Sequence, residues 1–478
     1  MASCSPEKLR TMSSVETNEP PEPVSGYGYG KIYLACISAY LFILTMGMTV
    51  SYTAPATMDM RKPGSRMQHI TEDDITWMGS LTLLGGIPAN ALGGYFTHRY
   101  GRKTALMLTS ILFTSSWLMI AYSSSVAWIC AGRIISGFCT GLYVVAIPAY
   151  VAEIAPQDIR GMLSSGLPFF NNLGILLVMS LGLVLRWSWL AISVVILTVF
   201  SAFMMAFMPE SPVWLVRESR LYEAANGLKF LHGKRSNYNA EIEKIMEVIR
   251  SEKQNKPLTL QDFRNPILYK PLLISIALFF FLPTSGFGPI ITYTVEIFQR
   301  AGSTIDPNLA ATILAAVQIF ASVACGVVID NFGRRKLYIL SGAGTSFMLI
   351  CLGIYSYILE YHPVRNSVMG YVPILCFSAY LFIFTFGIGS IPFVMIPEMI
   401  SVQYRSTVLS ISTVCLSIFG FAVSKSFDSL RDVLGDYGMY WFFASFTFLS
   451  VVFSYFVLPE TKQLSFEEIS RYFLKSHK

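Results

Sequence analysis

Charged residues recur in matching positions in the first and second halves of this 478-residue chain. Glu153 and Arg160 stand seven residues apart in "EIAPQDIRG". Glu398 and Arg405 stand seven residues apart in "EMISVQYRS". A carboxylate and a guanidinium at helix ends form charge-assisted hydrogen bonds, which are stronger when the pair is partly removed from water. The pattern therefore predicts ion pairs that tie helix ends together. It does not favour catalysis, because each carboxylate has an arginine at the same offset.

Two further motifs repeat in the same order. "YGRK" is followed much later by "FGRRK", and "PESPVWL" is followed by "PETKQLS". Three motifs in one order predict an internal duplication. We expect the charged residues of both copies to form a latch that holds the two halves together at one membrane face and opens a path when it breaks. The predicted latch residues are Arg102, Glu153, Arg160, Glu210, Arg334, Arg335, Glu398, Arg405 and Glu460.

The composition predicts that lipid is the solvent for most of the chain. It is 53% hydrophobic and 13% charged, whereas soluble proteins carry about 25% charged residues. Apolar windows of about 20 residues recur, which is the length that crosses a bilayer as a helix. The fold class predicted is an all-α membrane protein with twelve transmembrane helices. The predicted spans are 32–57, 75–97, 105–124, 127–152, 162–185, 188–208, 271–297, 307–330, 337–358, 370–397, 406–426 and 438–458.

Lysine and arginine predict the orientation. Of the 35 basic residues, 26 fall in the two tails and in the loops that follow even-numbered spans. Positive residues favour the cytoplasmic side, so both termini are expected in the cytoplasm. The basic balance is explained by this asymmetry and predicts no nucleic-acid partner.

The duplication predicts two bundles of six helices. The predicted organisation is a disordered cytoplasmic tail, a first bundle, a cytoplasmic linker with short helices, a second bundle and a second cytoplasmic tail. Their bounds are 1–31, 32–208, 209–270, 271–458 and 459–478.

With these motifs together, the chain resembles the sugar porter family of the major facilitator superfamily. The matching stretches are "HRYGRK", "GRIISGFCTG", "YVAEIAPQDIRG", "PESPVWL", "DNFGRRK", "IPFVMIPE" and "PETK". Within that family, "RGMLSSGLPFFNNLGIL" and the Lys425 stretch "VSKSF" resemble the insect facilitated trehalose transporters. The resemblance implies two pseudo-symmetric bundles, a solute site between them near the midplane, and alternating access.

The chain departs from the family where relatives contact sugar. The seventh-span pattern of two glutamines and an asparagine is replaced by Leu282, Pro283 and Gly288. The tenth-span tryptophan is Phe393, and the eleventh-span Asn-Trp pair aligns with Leu416 and Ser417. Because sugar hydroxyls need such side chains as partners, the identity of the solute stays open.

The remaining polar and aromatic residues near these positions are the candidates for solute binding. They are Asn172, Thr284, Ser285, Gly286, Thr292, Tyr293 and Phe393. Prolines and glycines in "LPTSGFGP" predict a broken seventh helix, because proline removes a helical hydrogen bond and irregular backbone at membrane depth lines a cavity. The expected gate and helix-break residues are Pro283, Gly288, Pro289 and Pro392.

The first span has no acidic residue before Asp59, so Arg133 lacks the titrating partner that proton-driven relatives carry. We therefore expect a facilitative uniporter of a hexose or trehalose in the plasma membrane, acting as a monomer without metal or cofactor and without catalysis. Two alternatives stay open: a transporter of another small organic solute, and a non-transporting solute sensor on the same scaffold.

Overall fold

The computed structural model describes residues 29–233, 238–254, 261–300, 305–361, 369–462 and 466–475. Every regular element in these ranges is helical. Most of the predicted N-terminal tail, up to residue 28, lies outside them. The first half and the linker contain α1 Gly30–Ser51, α2 Thr53–Met60, α3 Glu72–Tyr100, α4 Arg102–Ala121, α5 Val126–Ile154, α6 Gln157–Gly182, α7 Trp187–Ala206, α8 Pro212–Arg217, α9 Leu221–His232 and α10 Tyr238–Gln254.

The second half repeats this organisation with more interruptions. Its helices are α11 Pro266–Thr284, α12 Phe287–Thr292, α13 Thr294–Arg300, α14 Pro307–Phe332, α15 Arg334–Tyr361, α16 Val372–Phe386, α17 Ile391–Met399, α18 Val402–Val457 and α19 Phe466–Lys475. Short 3₁₀ turns at Asp262–Arg264 and Met369–Tyr371 precede α11 and α16.

The described helices account for twelve membrane crossings, as the hydropathy pattern predicts. Ten helical stretches are long and apolar enough to cross a bilayer. One of them, Tyr404–Val457, has 54 residues and contains a break at Gly435, where φ is 71°, so it supplies two crossings. The twelfth is α3, whose 29 residues span about 43 Å at 1.5 Å per residue.

Local sequence fixes where the key helices begin. Thr71 starts α3 through a capping box, in which its hydroxyl accepts from the backbone of Asp74 and the Asp74 carboxylate accepts in return. Asn265 caps the start of α11, where Pro266 stands at the first helical position and its missing N–H costs nothing. The Thr71 cap thereby sets the position of Glu72, Asp73 and Asp74, which lie in the first turn of α3.

The two ends of the helical bundle differ. The linker face is the end that carries α8, α9 and α10, and the far face is the opposite end, which carries the loop 61–71. A single apolar core joins both halves towards the far face, where Ile290, Ile291 and Phe427 pack with the core of the first half. Towards the linker face, a separate core that includes Leu268, Met395 and Met399 belongs to the second half alone. The halves are therefore in closer apolar contact at the far face.

Short helices cover the linker face of each half. Trp214, Leu228 and Ile242 form the small core of α8, α9 and α10, and the Lys31 ammonium lies 4.7 Å from the Phe230 ring centroid. Residues of α19 pack on the second half, where Lys270 Nζ donates to the Phe473 carbonyl at 2.6 Å.

Candidate functional site: charged collars, the seam between the halves and the solute residues

The charged motifs of the first half form a compact collar on the linker face. Arg102 is 7% exposed, and its guanidinium lies 2.7 Å from the Glu153 carboxylate, which also accepts from the Ser211 hydroxyl. Glu210 accepts from the backbone N–H groups of Lys103 at 2.8 Å and Thr104 at 3.1 Å. A carboxylate at a helix N-terminus satisfies free N–H groups and opposes the positive end of the helix dipole. Glu210 therefore fixes the start of α4 against the end of α7.

The second half builds the same collar. Arg334 lies 3.2 Å from Glu398, which accepts from the Thr461 hydroxyl at 2.6 Å. Glu460 accepts from the backbone N–H groups of Arg334 at 3.0 Å and Arg335 at 3.3 Å. The second collar thus has the same types of contact, although Glu460 accepts from the first and second N–H groups after its glycine and Glu210 accepts from the second and third.

A glycine with positive φ precedes the capped helix in both collars. Gly101 has φ 94° and Gly333 has φ 85°, a conformation that favours glycine. A Cβ would lie 2.5 Å from the Glu210 carboxylate at the first position and 2.9 Å from the Glu460 carboxylate at the second. Space and backbone therefore both require glycine at these two positions.

The remaining latch residues also bond within their own half. The Arg160 guanidinium donates to the Ala155 carbonyl at 3.1 Å, and Arg405 donates to the Ile400 carbonyl at 3.5 Å. Arg335 donates to the Tyr455 carbonyl. The ion pairs and hydrogen bonds that the described side chains of the latch residues make lie within one half or the other. The structure thus places the predicted latch residues in two separate collars, and a latch between halves stays a prediction for another conformation.

The halves meet along α3 with the first part of α18, and along α6 with α14. On the first side, Asn90 donates to the Ser417 hydroxyl at 2.9 Å and to the Thr413 carbonyl at 3.4 Å. On the second side, Asn172 donates to the Ser322 hydroxyl at 2.5 Å. Each side of the seam between the halves thus carries an asparagine from the first half and a serine from the second.

At the far face, ionic contacts cross this seam. Lys425 Nζ lies 2.5 Å from the Asp73 carboxylate, and the Thr76 hydroxyl donates to Asp428 at 2.6 Å. A looser pair joins Arg300 and Glu72 at 3.8 Å. Among pairs with both residues described, polar links between the halves occur at the far face and at mid-depth, and none occurs at the linker face. The seam is closed at the far face.

Two candidate solute residues, the last residue of α11 and the residue that caps it, donate their hydroxyls to carbonyls of that helix. Thr284 Oγ1 donates to the Phe280 carbonyl at 2.9 Å, and Ser285 Oγ donates to the Leu282 carbonyl at 2.6 Å. The helix ends there because Gly286 has φ 86°, and the Ser285 carbonyl accepts from the Tyr380 hydroxyl at 3.0 Å.

The residues predicted to break helices lie around two interruptions. Pro283 stands at the end of α11, while Gly288 and Pro289 stand inside α12. Pro392 stands in the first turn of α17, after the second interruption at 387–390.

The other candidates occupy two different places. Thr292 and Tyr293 are buried at the far-face end of the seam, where a Cβ on Gly79 would lie 2.8 Å from the Thr292 methyl. Tyr293 stacks on Phe427 with ring centroids 4.8 Å apart. Phe393 lies in α17, is 50% exposed and packs on Phe279 at 5.2 Å. The structure therefore does not gather the candidates into one cluster.

Buried amides near mid-depth were missed in the sequence reasoning. Gln318 is 1% exposed and Asn90 is 7% exposed, and neither side-chain carbonyl oxygen has a hydrogen-bond partner among the described residues. The same holds for the Asn171 carbonyl oxygen. Leaving a buried polar atom without a partner costs about 1–3 kcal/mol, so these oxygens are further candidates for accepting a hydrogen bond from a solute. An amide inside a long apolar span was the signal that would have found them.

Arg133 is buried without an acidic partner. It is 1% exposed, and its guanidinium donates to the carbonyls of Met78 and Thr49 and to the Thr53 hydroxyl at 2.8–3.1 Å. Neutral acceptors from three helices therefore satisfy this charge, and no salt bridge to it occurs among the described residues.

A family model for sugar (and other) transporters matches residues 27–473. The chain belongs to this family. It is 32% identical over 441 residues to a facilitated trehalose transporter, Tret1, of Apis mellifera ligustica, covering 92% of this chain and 88% of that protein. It is 33% identical over 451 residues to Tret1 of Polypedilum vanderplanki, covering 93% of this chain and 88% of that protein.

Solved structures of the xylose transporter XylE share the fold. A proton:xylose symporter structure of XylE with bound 6-bromo-6-deoxy-D-glucose has a TM-score of 0.75 at 22% identity, covering 94% of this chain and all of that chain. An inward-open structure of XylE from E. coli has a TM-score of 0.76 at 21% identity, with coverage of 92% and 99%. The predicted major facilitator fold and the predicted family are confirmed, and the protein is a multi-pass membrane transporter.

Proposed function

We propose that this protein is a uniporter that carries a sugar, a hexose or trehalose, across the plasma membrane by alternating access. The observation that carries the proposal is the asymmetry of the seam. The two halves are linked by polar contacts at the far face and at mid-depth, and the described residues provide no such link at the linker face. A seam closed at one end only is the arrangement expected of one of two alternating states. The trehalose transport named for the two Tret1 relatives supports the choice of solute.

Passive transport is supported by the surroundings of Arg133. A proton-coupled site needs a buried group that gains and loses a proton, and buried carboxylates at membrane depth are costly and functional. Among the described residues, the guanidinium bonds two carbonyls and a hydroxyl. Transport that is independent of the proton gradient follows from this environment.

The linker face is proposed as the cytoplasmic side. It carries the basic collars and the linker helices, in keeping with the excess of lysine and arginine on that side. Both termini would then be cytoplasmic, and the far face would meet the outside. With the seam closed at the far face, the conformation described would be the inward-facing state. We also propose that the transporter acts as a monomer.

The solute would bind at mid-depth between the halves. Asn172 and Gln318 supply amides there from α6 and α14, and sugar hydroxyls pair well with amides. The hydroxyls of Thr284 and Ser285 are engaged by their own helix. We therefore propose that amides on α6 and α14 replace those missing from the broken helix.

Uptake of labelled trehalose and labelled glucose by oocytes that express the full chain tests the function. Saturable uptake that is equal at pH 5.5 and 7.5, and that accelerates when unlabelled sugar is present inside, is expected of a uniporter. Strict dependence on external acid would replace the proposal with symport. Absence of uptake for both sugars, with the protein present at the surface, would overturn the sugar assignment.

A second candidate solute class is favoured by one observation. The broken seventh helix presents few polar side chains, because Leu282, Pro283 and Gly288 stand where relatives carry amides and the nearby hydroxyls are engaged by their own helix. A less polar organic solute fits such a lining. Competition by a panel of polyols and small aromatic glycosides in the uptake assay separates the two classes.

A further inference from the structure

One contact set on the far face is not used in the proposed solute site. Asp73, Thr76 and Trp77 lie on one face of α3, near its start. Phe421, Lys425 and Asp428 lie on one face of α18, because residues three and four apart are neighbours on a helix. We name these six residues the far-face clasp.

The lysine of the clasp makes two contacts with the other half. Its ammonium lies 2.5 Å from the Asp73 carboxylate and 4.2 Å from the centroid of the Trp77 ring. Trp77 in turn packs on Phe421, with ring centroids 6.3 Å apart. A cation above an aromatic face is attracted by the ring quadrupole. One side chain of the second half therefore holds both an acid and a ring of the first half.

A second, more buried contact lies beside it. The Thr76 hydroxyl donates to Asp428 at 2.6 Å, and Thr76 is 2% exposed. Arg431 lies 3.0 Å from the other oxygen of Asp428 and 3.4 Å from Glu296, so it fixes the acceptor. A hydrogen bond to a charged acceptor is stronger than one between neutral groups.

We propose that the far-face clasp controls how readily the far face opens, and that Lys425 is its central residue. The proposal rests on the proposed alternating-access transport. Every contact of the clasp joins α3 to α18, so separating these two helices breaks the ion pair, the cation–ring contact and the hydrogen bond together. An ion pair between partly exposed side chains is also weakened by salt. Opening is therefore cooperative and sensitive to ionic strength.

Thiol labelling of a serine beneath the clasp measures opening directly. Ser80 lies one helical turn below Thr76, is fully buried, and donates to the Thr76 carbonyl at 2.7 Å. Ser80→Cys is a small change in size. In intact cells, a membrane-impermeant thiol reagent reaches this cysteine only while the far face is open. The parent chain with its eight native cysteines gives the background rate.

Charge reversal and exchange test the pair of Asp73 and Lys425. We expect Lys425→Glu and Asp73→Lys each to raise the Ser80→Cys labelling rate by roughly two- to fivefold, the effect of an exposed ion pair. The combined exchange, Asp73→Lys with Lys425→Glu, should return the rate towards the parent value. Recovery should be incomplete because the cation above Trp77 is lost. Lys425→Arg should leave the rate unchanged.

Two variants of Thr76 test its hydrogen bond to Asp428. Thr76→Val removes the hydroxyl and keeps the shape, and should raise labelling, whereas Thr76→Ser keeps the hydroxyl and should not. Equal labelling rates in the parent, both reversals and Thr76→Val would overturn the proposal. An exchange variant that labels faster than either single reversal would also overturn it.

Two control cysteines separate this proposal from the proposed function. Gln68→Cys lies in the exposed loop of the far face and should always be labelled, while Ser201→Cys lies fully buried in α7 and should never be. If Gln68→Cys is unreactive in intact cells, the proposed orientation is wrong, and the same series in inverted vesicles tests the clasp. Labelling does not depend on uptake, so a failed sugar assay leaves this result intact.

Discussion

On the linker face arginine and glutamate pair within each half, whereas on the far face, besides pairs within one half, acidic and basic side chains also pair between the halves. The linker-face pairs are largely removed from water, with Arg102 7% exposed. The far-face acid Asp73 has a side chain that is 72% exposed. Removing one partner of a buried pair costs about 3–5 kcal/mol, while an exposed pair contributes about 0.2–1 kcal/mol. The difference suggests that the collars make each half rigid, and that the far-face contacts are weak enough to open.

The largest expected effect comes from breaking a collar. Arg102→Ala would leave Glu153, whose side chain is 17% exposed, without its cation, and Arg334→Ala would do the same to Glu398, whose side chain is 31% exposed. We expect Arg102→Ala to lower the free energy of unfolding by about 3 kcal/mol, Arg334→Ala to lower it by less, and both to reduce the maximal uptake rate more than the apparent affinity. Thermal unfolding in detergent and uptake kinetics measure the two effects.

Arg99→Ala is the matched control for that experiment. Arg99 is exposed at the same end of α3 and should change neither quantity. A loss of affinity as large as the loss of rate in Arg102→Ala would show that the collar does more than hold one half together.

Alanine substitutions at the two collar glycines compare the collar of the first half with that of the second. Gly101→Ala places a Cβ 2.5 Å from Glu210, and Gly333→Ala places one 2.9 Å from Glu460. Both also force a positive φ on alanine, which costs about 1–3 kcal/mol. We expect both variants to unfold at lower temperature, with Gly101→Ala the more affected. Gly94→Ala, where a Cβ meets nothing within 4 Å, is the control.

A smaller effect is expected at mid-depth. Asn172→Ala removes the amide that bonds Ser322 across the seam and should raise the KM for the solute by roughly tenfold, since one lost hydrogen bond to a buried group costs about 1–3 kcal/mol. Ser322→Ala tests the contact across the seam without removing the amide. An unchanged KM in Asn172→Ala would remove this residue from the solute site.

The smallest expected effect comes from an exposed ion pair on the far face that lies within one half. Arg61 and Glu72 pair at 2.8 Å within the first half, with side chains 32% and 45% exposed. Arg61→Gln should change the free energy of unfolding by less than about 1 kcal/mol and leave uptake unaltered. A large loss of uptake would mean that peripheral far-face charges also control opening.

The sequence predicted the fold better than the solute site. Apolar windows of one length and three repeated motifs define twelve crossings and both collars, because the bilayer leaves helices little alternative. The pairing of Arg102 with Glu153 and of Arg334 with Glu398 follows from that duplication. Whether such pairs act within or between halves depends on the relative position of two bundles, which no spacing along the chain encodes.

The solute residues were harder to predict for a physical reason. Thr284 and Ser285 have suitable chemistry, but a hydroxyl in a helix readily bonds the carbonyl three or four residues earlier. Gln318 and Asn90 were overlooked because they stand outside the motifs of the resemblance. Only the packing reveals that their amide oxygens are buried without partners.

Helices of the first half pack with their backbones in close contact, whereas several helices of the second half are interrupted. A Cβ on Gly47 would lie 2.0 Å from the Asn171 carbonyl oxygen, and one on Gly137 would lie 2.1 Å from that of Thr82. Backbones at such close quarters bind α1 to α6 and α3 to α5 with no side chain between them to repack. The second half instead contains interrupted helices, α11 to α13 and α16 to α17. When the molecule changes conformation, the first half should therefore move as a rigid body. The bending should occur at the interrupted helices of the second half.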